Sequence, residues 1–261
     1  MITTRRSAYD VLRDVTFGLL MRELKTRYGS YRLGYCWALL DPLIMVGAFC
    51  LIFGLRGRSG FGGAEAPVFI ISGYLPFLLF SKTANQLKSA VSANMGLFCY
   101  RQVTPFATLL ARFILEMLSL FLVMLLMITL LCGLGFAALP ADPLHTLWYL
   151  LQLALFAFAL GMLFCIINKY SAEVGKFIGF LMMPLMIISG VIMPIAVIPA
   201  QYHGWLLWNP LLHAIELIRS GWIAGFATPY GDPIYLASCT VSLLALAMSA
   251  YRLNRYHLIR S

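Results

Sequence analysis

Four cations crowd the stretch RELKTRYGSYR, at Arg22, Lys25, Arg27 and Arg32. Such a cluster can attract a lipid phosphate through charge. It can equally pin an adjoining segment at a membrane surface. An apolar run begins immediately afterwards, at Tyr35, and continues to Leu55. Neither a nucleic-acid-binding arm nor a secretion signal leads into a run of that kind. Other ionisable residues stand inside apolar surroundings. Asp41 precedes Pro42 near the start of this run, either paired with a collar arginine or placed at the mouth of a pathway. Arg112 and Glu116 are four apart, and Glu216 and Arg219 three apart, so each pair shares a helix face. His145, His203, His213 and His257 show no metal-ligand spacing, no Cys-x-x-Cys occurs, and no Gly-rich loop ends in Gly-Lys-Ser/Thr. The chain therefore carries no visible nucleotide-hydrolysing machinery and no metal centre.

The elements that hold these residues follow from composition. The 261 residues are 61% hydrophobic and 11% charged, with a net charge of +9. Ordinary soluble domains carry about a quarter charged residues, so the class is an all-α integral membrane protein. Apolar runs long enough to span fall at roughly 35–55, 67–88, 107–138, 144–167, 177–198 and 233–252, which predicts six transmembrane helices. Gly73 and Pro76 interrupt the second run, a break that neighbouring helices can tolerate.

Residues 199–232 are too broken to span. With six spans, all of the Lys and Arg except Arg56, Arg58 and Arg219 lie on one side, the cytoplasmic one by the positive-inside rule. Both termini then face the cytoplasm, and 199–232 forms an outward, periplasmic re-entrant or interfacial segment between helices 5 and 6. Val11, Leu12, Val15 and Leu19 keep helical spacing, which suggests an N-terminal interfacial helix. Tyr28, Tyr31, Tyr35 and Trp37 sit where an aromatic belt would lie. The organisation is a single domain, 1–261. It comprises a basic segment at 1–34, a membrane region at 35–252 and a tail at 253–261.

Two further stretches invite functional readings. Ser92–Arg112 is cytoplasmic in this topology yet mixes Asn94, Gly96, Leu97, Phe98 and Tyr100 with Arg101. It fits either a helix lying on the membrane or a short helix docking into a partner's groove. The outward segment carries Tyr202, Trp205 and Trp208 beside Asn209, followed by Glu216 and Arg219. Its aromatic rings fit an interfacial belt, or a platform stacking on sugar rings.

Three motifs, RELKTRYGSYRLGYCWALLDPL, ANMGLFCYRQVTP and ISGVIMPIAVIPAQYHGWLLWNPLLHAIEL, resemble the membrane subunit of ABC-2 type polysaccharide exporters, closest to the capsular polysaccharide export permeases. The resemblance implies a homodimer in the bacterial inner membrane, joined by two cytoplasmic ATPase subunits that bind ATP and Mg, with no cofactor in this chain. It implies a lipid-linked acidic polysaccharide as cargo, and a periplasmic co-polymerase and outer-membrane channel as partners. By the same resemblance, Asn94, Gly96, Leu97, Phe98, Tyr100 and Arg101 belong to the ATPase-coupling segment. Arg22, Lys25, Arg27 and Arg32 lie near the lipid-phosphate entrance. Tyr202, Trp205, Trp208, Asn209, Glu216 and Arg219 lie near the exit. Gln102 and Thr104 depart from the family pattern, which expects proline and a cation there; Asp41 stands where glutamate is commoner. Exporters of O-antigen, teichoic acid or another lipid-linked glycan are sibling alternatives. An ion-coupled carrier or a passive scaffold of a secretion complex are alternatives of other classes, although no internal repeat is visible.

Overall fold

Inside a bilayer every backbone N–H and C=O needs a partner from the protein itself, which makes helices the default for apolar runs of this length. The computed structural model describes residues 7–28, 40, 42–49, 51, 65–100, 102–226 and 228–259. Seven long helices occur among them: α1 (Ala8–Tyr28), α2 (Ala66–Lys88), α3 (Pro105–Gly133), α4 (Pro143–Tyr170), α5 (Ala172–Ile188), α6 (Pro210–Trp222) and α7 (Pro233–Ile259). Four of these, α2, α3, α4 and α7, are long and apolar enough to cross a membrane. Most of the first expected span, 35–55, lies outside the described residues, as do Asp41, Tyr31, Tyr35 and Trp37; residues 42–49 are helical.

Four helices begin with the same local device. Thr104, Asp142, Asn209 and Asp232 each accept a hydrogen bond from a backbone N–H of the first helical turn, and each is followed by proline. The side-chain oxygen satisfies a donor that has no intrahelical partner, and the proline removes another while presetting a helical φ. Thr104, one of the two departures from the family pattern, thus has a structural task at the head of α3.

The ends are equally specific. The apolar run of α3 was expected to reach residue 138, but the helix closes at Gly133. Phe136 N–H bonds to Leu131 O and Gly135 N–H to Cys132 O, the paired bonds of a Schellman stop. α5 was expected to span 177–198. It occupies Ala172–Ile188 instead, 17 residues, or about 25 Å at 1.5 Å per residue. Beyond Ser189 the chain turns at Gly190, whose φ of 70° favours glycine. α2, by contrast, runs unbroken through Gly73 and Pro76.

α2 is the central helix. It is buried on nearly every face from Val68 to Phe80, against α3, α4, α5 and α6. Residues from all of these elements join one apolar core, including Phe69, Phe80, Leu153, Ala157, Ile215 and Trp222. A smaller cluster, Leu19, Leu20, Ala107 and Ala111, seats α1 on the first turns of α3.

The bundle has two distinct ends. At one, α1 meets the 89–112 region, and the Phe106 N–H donates to Tyr251 Oη near the end of α7. At the other, the α3–α4 connection meets α6: Trp222 Nε1 donates to Ala138 O, and Asp142 N–H to Gly221 O.

Candidate functional site

The connection after α2 folds as a six-residue 3-10 turn, Ser92–Leu97. Such short turns have poor internal bonding and depend on their surroundings for position. Here Asn94 supplies the anchor. It is nearly fully buried, although its neighbours Ser92, Ala93 and Gly96 are exposed. Its Nδ2 donates to Ala90 O at 2.9 Å and to Glu23 Oε1 at 3.0 Å, while its Oδ1 accepts from Arg22 Nη1 at 2.9 Å. Glu23 Oε1 also takes an ion pair from Arg112 Nε at 2.8 Å. The other arm of Arg112 donates to Gln86 O at 2.9 Å and Ser89 Oγ at 3.0 Å. The ion pair of Arg112 with Glu23 ties α3 to α1, a contact between helices that the four-residue spacing of Arg112 and Glu116 does not announce.

The expected residue sets are divided by this geometry. Leu97 packs with the α1–α3 cluster, and Phe98 with a second apolar cluster around Leu87, Val91 and Leu109. Gly96 and Tyr100 face outward. Arg101 and Arg32 lie outside the described residues, and so does the side chain of Arg27. Lys25 is exposed, whereas Arg22 reaches back to the turn. Glu23 and Arg112 complete this end, joined across 89 residues of sequence.

At the opposite end stands a fully buried arginine. Arg219 Nη1 donates to Gly190 O at 2.6 Å and Nη2 to Val191 O at 2.5 Å. Its guanidinium lies 4.0 Å from the centroid of the Phe69 ring, and Glu216 Oε1 is 3.5 Å from Nη1. Thr228 Oγ1 donates to Glu216 Oε2 at 3.0 Å. A buried charge is tolerable only when paired and hydrogen-bonded; the two carbonyls, the carboxylate and the ring face supply most of that compensation, while Arg219 Nε and Glu216 Oε1 make no hydrogen bond among the described residues. Arg219 thereby binds the carbonyls just past the end of α5, where a positive charge also suits the helix dipole. The site demands glycine at 73: a methyl there would collide with Arg219 Nη2 and lie 2.7 Å from Val191 O.

Between these elements, Asn209 Nδ2 donates to Ser189 Oγ at 2.8 Å, tying the head of α6 to the end of α5. His213 is a structural bridge. Asp232 N–H donates to its Nδ1 at 3.0 Å, which leaves Nε2 to donate to Leu207 O at 2.8 Å. His203 likewise bonds Ile198 O at 2.8 Å. Tyr202 is exposed, and Trp205 and Trp208 are 85% and 82% exposed. The six residues expected near the exit thus separate into an outer aromatic face and an interior ion pair, joined by Asn209.

Four helices long and apolar enough to cross a membrane, with α3 and α4 packed on the central α2 and α7 packed on α4, define an all-helical membrane protein. The chain belongs to the ABC-2 type transporter family, which it matches over residues 15–223. Along nearly its whole length it is similar to the polysialic acid transport protein KpsM of Escherichia coli, at 35% identity covering 98% of this chain and 99% of that protein. It is also similar to the capsule polysaccharide export inner-membrane protein CtrC of Neisseria meningitidis serogroup B, at 28% identity over 92% and 90% of the two chains. BexB of Haemophilus influenzae, a capsule polysaccharide export inner-membrane protein, is 27% identical over 94% and 93%.

Proposed function

We propose that this chain is the membrane permease of an ATP-driven exporter that carries a lipid-linked capsular polysaccharide across the inner membrane to the periplasm. The observation that carries this reading is the end-to-end similarity, at 35% identity, to a protein named for polysialic acid transport. ATP and Mg bind to two separate cytoplasmic ATPase subunits, and two copies of this chain form the path between them. A periplasmic co-polymerase and an outer-membrane channel receive the polymer.

In this reading the chain has six spans. The 35–55 run and the short α5 join α2, α3, α4 and α7. α1 lies at the cytoplasmic surface, and 199–232 folds back into the outer face. α1 and the end of α7 each bond to the 89–112 region at one end of the bundle, which supports placing both termini on one side; the basic residues make that side the cytoplasm. The Ser92–Leu97 turn and the residues just after it, through Gly96 and Tyr100, receive the push of the ATPase. Lys25, Arg27 and Arg32 attract the lipid phosphate by charge, while Tyr202, Trp205 and Trp208 face the departing sugar rings. Nucleotide-driven closure of the ATPase pair moves the helices as rigid bodies.

The test is copurification with the cognate ATPase, followed by hydrolysis measurements in lipid nanodiscs. An ATPase that binds this chain, and whose hydrolysis rate changes when it does, is the expected result. A chain that binds no ATPase, or leaves hydrolysis unchanged, overturns the reading in favour of a carrier or scaffold.

A further inference from the structure

We infer that Glu23 is the positioning residue that transmits movement of the Ser92–Leu97 turn into α1 and α3. The inference rests on the exporter reading above and assigns a role to a side chain that lies in the first motif but was given no task there.

The argument is geometric. One carboxylate oxygen, Glu23 Oε1, accepts from both Asn94 Nδ2 at 3.0 Å and Arg112 Nε at 2.8 Å. Through Asn94 it holds the turn; through Arg112 it holds α3 and, by way of Gln86 O and Ser89 Oγ, the end of α2. Glu23 itself belongs to α1, whose neighbouring residue Arg22 grips the other side of the Asn94 amide at 2.9 Å. α1, the turn and α3 therefore meet at one carboxylate, and the end of α2 is joined to them through Arg112. Hydrogen bonds with an ionised acceptor are about twice as strong as neutral ones. Both side chains of the ion pair are largely shielded, with Arg112 8% and Glu23 12% exposed, so salt screens the contact less than it would a surface pair.

A weakly self-bonded turn would absorb a push by deforming. Pinned at Asn94 by the carboxylate, and at Leu97 by the apolar contact with α1 and α3, it passes the push to those helices instead. The apolar contact alone is non-directional and permits sliding; the charged fork fixes register. Loss of the fork should therefore leave the turn docked on its ATPase but poorly connected to the membrane helices.

The experiment uses the complete complex with its ATPase in proteoliposomes and reads ATP hydrolysed per polymer exported. Glu23→Gln keeps the size and one acceptor oxygen but removes the charge. ATPase copurification and hydrolysis should stay near wild type, while polymer exported per ATP falls by at least about fivefold, the lower range of ordinary coupling effects. Asn94→Ala should give a similar loss, and the double variant should be no worse than either single, because both break one connection. Arg112→Lys keeps the charge but loses the fork to Gln86 and Ser89, and provides a second variant if Glu23→Gln inserts poorly; it too should lower the yield per ATP. An unchanged yield in the inserted variants, or additive losses in the double, overturns the inference. A wild-type complex that exports no polymer overturns the exporter reading itself, and the two failures are thereby separate.

Discussion

Arg219 has no aqueous outlet, and its neighbours are arranged around that fact. Replacing it with methionine leaves Glu216 with an uncompensated charge and frees two carbonyls, a loss of about 3–5 kcal/mol for breaking a buried pair. Arg219→Met should therefore lower the thermal midpoint of the detergent-purified protein sharply. Adding Glu216→Gln to it should restore part of the loss, since removing both charges is far less costly than removing one. Gly73→Ala should destabilise as well, because its methyl competes with the guanidinium for the same space. Fluorescence-detected size exclusion after a temperature series reads all three; an Arg219→Met protein as stable as wild type would contradict this account. The pairing of Glu216 with Arg219 was legible from their spacing of three. The two carbonyls, the Phe69 ring and the need for Gly73 were not, because they come from segments distant in sequence. Glu23 was hidden for the same reason: its partners are 71 and 89 residues away, and no local spacing announces them.

Among the elements, the 92–97 turn separates two kinds of substitution. Leu97 and Phe98 pack inward, so Leu97→Asp should reduce stability and coupling together. Tyr100 is 66% exposed, so Tyr100→Ala should leave the thermal midpoint unchanged, within about 0.5 kcal/mol as for most surface changes. On the exporter reading it weakens capture of the ATPase in a pull-down. Equal effects of both variants on stability would contradict the described burial. The apolar runs made α2, α3, α4 and α7 readable to within a few residues at their starts. The end of α2 at Lys88 was readable too, but α3 stops short of its run and α4 and α7 continue past theirs, since hydropathy alone does not see a stop. The run through Ile188 continues in apolar residues to Ile198, yet Gly190 turns the chain and Arg219 seals the exposed carbonyls. The repeated cap-then-proline pairs at Thr104, Asp142, Asn209 and Asp232 were a signal of helix starts present in the sequence.

For the whole molecule, the open quantity is the parity of the spans. The basic ends predict that N- and C-terminal segments share a side, and α1 and the close of α7 both touch the 89–112 region. A reporter fused at either terminus should be protected from impermeant labels in intact cells and accessible once the inner membrane is opened. A C-terminal reporter labelled from the periplasm would contradict the six-span scheme. What length and charge could not supply is the cargo; the proposal for it rests on similarity along the chain to relatives named for polysialic acid transport and capsule polysaccharide export. The most direct measurement is therefore made on the cell that carries this chain, deleted for it and then complemented. The account predicts loss of surface capsule with lipid-linked polymer accumulating in the cytoplasm, and recovery of both on complementation. Undiminished surface capsule in the deletion strain, with no polymer retained inside, would contradict it.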